Sequence, residues 1–172
     1  HHLFYEDLNG DEVKEVISET NGTWNRVTVW RADGRALFDA SFGPGEPIPA
    51  MNMRDLDITD LEGDGKKELL AATSGGLVVA LDHQCRKLWA KRVESPATVM
   101  KCVRRTRGSS PWIVVGCEDG RVLVLDAQGR LVRRDSVQGR PTCISVLSAD
   151  PDATLVLLAT DRGQVKLFHV DE

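Results

Sequence analysis

The chain is poor in aromatic residues, has no basic excess and contains no long apolar run. Nine of its 172 residues are aromatic, and only one of these is tyrosine. Basic residues number 22 against 26 acidic ones, a formal charge of −4, which argues against attraction of the whole chain to nucleic acid or an anionic membrane. No stretch approaches the 18 consecutive apolar residues that a membrane-spanning helix needs, so membrane insertion is not expected. The opening His1-His2-Leu3-Phe4 matches neither a signal peptide nor a transit peptide, and the paired histidines read as the stub of a purification tag on a processed or excised chain. The four cysteines show no C-x-x-C spacing and no paired histidines, which argues against zinc. Nucleophile-elbow, phosphate-loop and H-E-x-x-H patterns are all missing. What remains is a globular composition, 41% apolar with 15 glycines.

Repetition dominates. Gly76, Gly120 and Gly163, spaced by 44 and 43 residues, each precede an alternating apolar stretch: Leu77–Leu81, Val122–Leu125 and Val165–Phe168. A fourth copy has Asn25 in the glycine position, 51 residues before Gly76, and its extra length fits the loop Gly43-Pro44-Gly45-Glu46-Pro47. About eight residues before each marker lies a second apolar run: Glu15–Ile17, Glu68–Ala72, Trp112–Gly116 and Leu155–Ala159. Turns follow the first three marker strands, and each leads into a more polar strand. One further candidate strand precedes each apolar run: Leu3–Tyr5, Met53–Ile58, Thr98–Val103 and Thr142–Leu147.

Each unit therefore reads as four short strands, with period-2 alternation in the third and continuous apolar character in the second. No window shows sustained helical spacing. Four strands repeating every 40–50 residues mark an all-β propeller of four blades. The blades fall at roughly 3–48, 49–96, 97–140 and 141–172, with the last one strand short. The first strand of each is expected at the axis and the fourth at the rim. The missing strand leaves three arrangements open: part of a larger propeller, self-association through the terminal blades as a homo-oligomer, or a compact four-blade ring.

The sharpest chemical pattern lies between first and second strands. Unit two carries Asp60-Leu61-Glu62-Gly63-Asp64-Gly65-Lys66-Lys67-Glu68, and unit one Asp7-Leu8-Asn9-Gly10-Asp11-Glu12-Val13-Lys14-Glu15. Both place side-chain oxygens at positions 1, 3, 5 and 9, with a main-chain carbonyl on offer at position 7. Calcium takes six to eight hard oxygens, and alternate residues of a tight loop supply them. The alternative is that the acids cap turn amides without metal. Units three and four carry no such loop. The two loops resemble the calcium loops of FG-GAP/VCBS-type propeller repeats, and the segment from Leu77 to Trp89 is similar to PQQ-type propeller blades. The resemblance implies calcium ligation by Asp60, Glu62, Asp64, Glu68 and the Lys66 carbonyl. In the first loop it implies Asp7, Asn9, Asp11, Glu15 and the Val13 carbonyl. Calcium held there would staple a hairpin rather than serve catalysis. Glu62 is longer than the family's Asp, and Glu12 stands where the family has a glycine, which strains the first turn.

Other residues carry weaker signals. Cys102, Cys117 and Cys143 sit in apolar strand contexts and read as buried thiols. A Cys102–Cys117 disulfide needs the strand register to bring them opposite. Residues 1–90 hold 9 basic and 16 acidic side chains and residues 91–172 hold 13 and 10, so the halves carry −7 and +3. Arg104, Arg105 and Arg107, with Arg133 and Arg134, suit an anionic partner or an ordinary solvated surface. Asn21-Gly22-Thr23 is a glycosylation sequon, and the four tryptophans (Trp24, Trp30, Trp89, Trp112) read as packing between blades. His83 and His169 have no nucleophile beside them in the pattern.

These observations point first to a non-catalytic binding module presenting loops to a protein or glycan ligand, with an extracellular or cell-surface setting favoured. The alternatives are the propeller portion of a secreted enzyme (a polysaccharide lyase or quinoprotein-like oxidoreductase) and an intracellular scaffold. A propeller hosts many activities, so fold alone does not choose among them.

Overall fold

The computed structural model describes residues 2–21, 25–42, 52–104, 110–150 and 153–169. These form four antiparallel sheets and, among the described residues, no helix. The first sheet is β1 (Leu3–Glu6), β2 (Glu15–Thr20), β3 (Arg26–Trp30) and β4 (Ala36–Ser41). The second is β5 (Met53–Thr59), β6 (Glu68–Thr73), β7 (Leu77–Leu81) and β8 (Lys87–Arg92). The third is β9 (Ala97–Val103), β10 (Trp112–Cys117), β11 (Arg121–Leu125) and β12 (Leu131–Ser136). The fourth has three strands, β13 (Pro141–Asp150), β14 (Ala153–Thr160) and β15 (Val165–His169). Each sheet is a meander of sequential neighbours, as the repeat requires, and the last is one strand short, as expected.

Burial follows the strand pattern. Every residue of β6 and β7 is buried, whereas β8 is exposed along nearly its whole length. A strand covered on both faces has no polar face to show, which is why its sequence is continuously apolar. Three buried clusters do the covering, and each spans two successive blades. Ile17, Val27 and Val29 of the first blade pack with Leu69, Ala71 and Val79 of the second. Leu70, Ala72 and Val78 on the other face of the second pack with Ile113, Val115 and Leu123 of the third. Val114, Val122 and Val124 of the third pack with Val156, Leu158 and Phe168 of the fourth.

Polar bonds tie the inner strands together. Asp55 and Asp57 on β5 accept the main-chain N–H groups of Met100 and Cys102 on β9, each at 2.7 Å. Lys101 Nζ donates to Asp57 at 3.0 Å, and this partner holds the ammonium above its ordinary pKa although burial works the other way. Thr98 donates to the Pro141 carbonyl at 2.8 Å, linking the third blade to the fourth. Between the first two blades, Lys67 N–H donates to the Leu8 carbonyl at 2.8 Å and Met53 N–H to Asn21 Oδ1 at 2.8 Å. The approach of the last two blades is close enough that a Cβ on Gly116 would lie 2.6 Å from Cβ of Pro141.

Several side chains depart from expectation. Cys143 is exposed and Cys102 half-buried, whereas Cys85, at a turn, is buried. All four thiols are free, and the register pairs Cys102 with Ile113 and Cys117 with Ala97, so the disulfide geometry does not arise. Burial, with Asp39 and Asp82 adding to it, pushes the Cys85 thiol up to about 12. Trp89 and Trp112 pack at blade junctions, the former donating from Nε1 to the Ala127 carbonyl at 2.9 Å. Trp30 instead lies on the face of the first blade turned away from the second, where its Nε1 donates to Ser18 Oγ at 2.9 Å. Trp24, Arg105, Arg107, the Gly43–Pro47 loop and the last two residues of the sequon lie outside the described residues.

Two substitutions test this account. Asp57→Ala leaves a main-chain donor and an ammonium without their acceptor and should lower unfolding stability by about 1–3 kcal/mol, with Asp57→Asn losing less, in urea denaturation. Gly116→Val should cost a similar ~1–3 kcal/mol by overpacking against Pro141.

Candidate functional sites at the two ends of the blades

The inner strands of the second and third blades all run the same way, so the molecule has two chemically distinct ends. At the end where inner strands finish sit the two acidic loops. They are neighbours: a Cβ on Gly10 would lie 3.5 Å from the Gly65 carbonyl oxygen. In the second loop, Asp60 accepts the N–H groups of Gly63 at 2.6 Å and Gly65 at 3.0 Å, and Asp64 accepts that of Lys66 at 2.9 Å. Glu68, at position 9, is buried and accepts the Leu61 N–H at 2.7 Å. The first loop repeats this scheme. Asp7 accepts from Asn9, Gly10 and Glu12, Asp11 from Val13, Asn9 from Asp11, and Glu15 from Leu8. Gly65 and Glu12 occupy the same turn position with φ +87° and +68°. The left-handed turn is thus free for glycine and strained for Glu12, as its side chain implied.

Carboxylates here cap amides. Among the described residues no group of three or more His, Cys, Asp or Glu side chains is arranged to hold a metal ion. Glu62 and Asp64 are exposed, and the Lys66 and Val13 positions lie on the exposed loop crests. Two carboxyls of the loops depart from their ordinary pKa values in opposite directions. Burial first, then the neighbouring Asp60, Asp64 and Glu62, push the Glu68 carboxyl up to about 7 against the lowering effect of the Leu61 amide. Burial also raises the Asp7 carboxyl, but the amides of Gly10, Glu12, Asn9 and Asp11 outweigh it and hold the group below its ordinary range. The fourth blade has no equivalent. β13 runs on to Asp150 and β14 begins at Ala153, leaving no room for a nine-residue loop.

At the other end, where inner strands begin, lies a cleft of about 480 Å³ spanning the second, third and fourth blades. Arg54, Thr98 and Thr142, one step into successive inner strands, contribute to it, with Ser74, Glu118 and Arg140. Arg140 Nε stands 3.7 Å from Asp161, whereas among the described residues no ion pair engages Arg54. Thr98 and Thr142 donate their hydroxyl protons within the fold, to the Pro141 and Ala159 carbonyls at 2.8 and 3.3 Å, so the charged donors of the cleft are its two guanidinium groups, a chemistry suited to an oxyanion. Neither arginine stood out from the sequence alone. The available signal was the repeat register, which sets Arg54 beside Thr98 and Thr142. The basic residues that did stand out are largely engaged: Arg134 approaches Glu94 at 3.4 Å, and Arg133 lies 3.6 Å from Asp135 and donates to the His169 carbonyl at 3.3 Å. His83 is half-buried in its turn and His169 is exposed on β15.

Four meandering sheets packed face to face through apolar cores define a β-propeller, here an arc of four blades. A family model described as the lambda-carrageenase beta-propeller domain matches residues 32–138, more than half of the chain, and the chain belongs to that family. No curated protein matches it. Among solved structures, BBS1N in complex with ARL6DN is similar at a TM-score of 0.74 and 16% identity, over 99% of this chain and 50% of that one. The computationally designed Ika4 protein is similar at 0.68 and 18%, over 95% and 96%. BamB from Moraxella catarrhalis is similar at 0.55 and 18%, over 90% and 44%. The chain thus spans about half the length of BBS1N, and these likenesses show the fold alone. They confirm the propeller; the finer FG-GAP/VCBS and PQQ resemblances find no counterpart among them.

The Glu68 environment makes a signed prediction. A carboxyl whose folded pKa stands near 7 against an ordinary 4.5 contributes most below pH 4.5 and loses that contribution as pH rises toward 7. The Glu68→Gln variant, which keeps an acceptor for the Leu61 amide, should therefore flatten the fall in stability between pH 4.5 and 7, measured by thermal melts across pH. Glu12→Gly should gain about 0.5–1 kcal/mol by relieving the left-handed turn.

Proposed function

We propose that the chain is a non-catalytic binding module whose ligand is an anionic polysaccharide, held at the cleft of Arg54 and Arg140. The observation that carries this reading is the presence of two guanidinium groups, with the Ser74 hydroxyl, on the walls of one cleft. Bidentate guanidinium contacts match the oxygens of a sulfate or carboxylate, and neighbouring hydroxyls can bond to sugar oxygens. Membership in a family described by a lambda-carrageenase supports a sulfated galactan as the first ligand to try. A propeller also suits protein partners, and BBS1N is seen in complex with ARL6DN, but at 16% identity that association belongs to BBS1N.

We further propose that calcium binds the paired acidic loops as a structural staple. Its support is the crowding of Asp60, Glu62 and Asp64 around a buried Glu68. Binding would require loop oxygens now held by amides to turn inward. Calcium should then raise the melting temperature and EDTA should reverse the rise; identical melts in both would leave amide capping as the whole role of these acids.

Affinity electrophoresis tests the ligand. Migration should be retarded in gels containing lambda-carrageenan and not in neutral agarose, and retardation should weaken as salt rises. Arg54→Ala and Arg140→Ala should each weaken binding about fivefold, the equivalent of ~1 kcal/mol for an exposed charged contact. Equal retardation of wild type and the double variant would move the site elsewhere. Shortening of the polysaccharide by the isolated chain would overturn the non-catalytic reading.

A further inference from the structure

The cleft of Arg54 and Arg140 has a third charged wall. In the second, third and fourth blades, the turn after the second strand donates one main-chain N–H to the carbonyl just ahead of the inner strand. Ser74 donates to Asn52 at 2.9 Å, Glu118 to Pro96 at 2.8 Å and Asp161 to Arg140 at 3.0 Å. Ser74, Glu118 and Asp161 therefore hold equivalent positions in successive blades. Their side chains are used differently. Asp161 is engaged by Arg140, accepting its main-chain N–H at 2.8 Å and standing 3.7 Å from its Nε. Glu118 is exposed and lines the cleft, and among the described residues no ion pair or hydrogen bond engages its carboxylate. In blade order the charged side chains of the cleft run Arg54, Glu118, Arg140: guanidinium, carboxylate, guanidinium.

The side chains of the middle stretch accept hydrogen bonds and have none to give. An ionised carboxylate is an acceptor only. Thr98 directs its hydroxyl proton to the Pro141 carbonyl at 2.8 Å, and Pro96, beside Glu118, has no N–H. A sulfate or carboxylate placed there would face a like charge with no side-chain donor to offset it, which weakens binding. A sugar hydroxyl placed there gives its proton to the carboxylate, in a charge-assisted bond stronger than one between neutral groups. We infer that Glu118 determines the specificity of this cleft, so that it selects anionic polysaccharides whose charged sugars alternate with neutral, hydroxyl-bearing ones over polysaccharides charged on every sugar. This selectivity presupposes the polysaccharide ligand proposed for the cleft. Glu118 acts mainly by rejecting the wrong ligand. Discrimination is a difference between two affinities, and a repulsive group changes that difference as effectively as an attractive one.

Affinity electrophoresis with two sulfated galactans tests this. Kappa-carrageenan carries sulfate on alternate sugars, and lambda-carrageenan carries it on both sugars of its repeat. Glu118→Gln removes the charge and keeps an acceptor at an exposed position, and a thermal melt matching the wild type checks its folding. The variant should bind lambda-carrageenan about fivefold more tightly, equivalent to ~1 kcal/mol, while its binding to kappa-carrageenan changes by less than about twofold. Asp33→Asn makes the same change of net charge in the turn after β3, at the other end of the first blade, and should alter neither. Equal strengthening on both galactans would overturn the inference, because it would show a general effect of charge. No change on either would do the same, by showing a carboxylate that meets no ligand. So would weakening on both, which would make Glu118 an ordinary binding contact. A wild type that neither galactan retards would instead fail at the polysaccharide ligand itself, and the selectivity would fall with it.

Discussion

A sheet whose central strands are apolar on both faces cannot stand in water by itself, and everything else in this protein follows from that constraint. β6, β7, β10 and β11 have no face to give to solvent. Each is sandwiched because the blades before and after it bring their own apolar rows into contact. Burial of this kind is non-directional, so it sets only that the blades stack. Direction and register come from the sparse polar bonds near the axis. Asp55 and Asp57 give the unpaired edge of β9 the acceptors it lacks, and edge donors left unmet would carry a desolvation cost of about 1–3 kcal/mol each. Apolar area supplies the adhesion and two carboxylates supply the alignment.

Much of this was legible in the residues. The glycine markers at 76, 120 and 163 each sit at a positive φ in the turn leading into a third strand, so their spacing reported the blade period directly. The continuous runs at Glu68–Thr73 and Trp112–Cys117 reported two-sided burial, and the polar rim strands reported exposure. The acidic loops were recognisable as tight turns rich in oxygen, and Glu12 as a residue in a glycine's place. What stayed hidden depended on neighbours distant in sequence. Asp55 and Asp57 alternate along a strand in the manner of any solvent-facing pair, and nothing local says that β9 lies 45 positions on with its N–H groups aimed at them. Cys143 and Trp30 misled for a related reason: an apolar strand context does not say which face of the strand a neighbouring blade covers.

The electrostatic asymmetry of the two halves also finds its place. The acidic loops gather at one end of the first two blades, where amides absorb part of the charge and Glu68 keeps its proton to nearly neutral pH. The arginines of the cleft lie at the opposite end, toward the later blades. One end thus gathers carboxylates and the other guanidinium groups. Because the scaffold between them is held by its own apolar clusters, either end can vary without disturbing the stack. That freedom is the reason a propeller supports unrelated activities.

The short last sheet has a kinetic meaning. A meander of three strands ending at β15 has fewer hydrogen bonds to break than its four-stranded neighbours, and only one of its faces is packed. In a linear array each unit is held chiefly by the units beside it, so opening begins where a unit has one neighbour instead of two. In the 172-residue chain by itself, amide protons of β14 and β15 should therefore exchange with solvent deuterium ahead of those in β6 and β10.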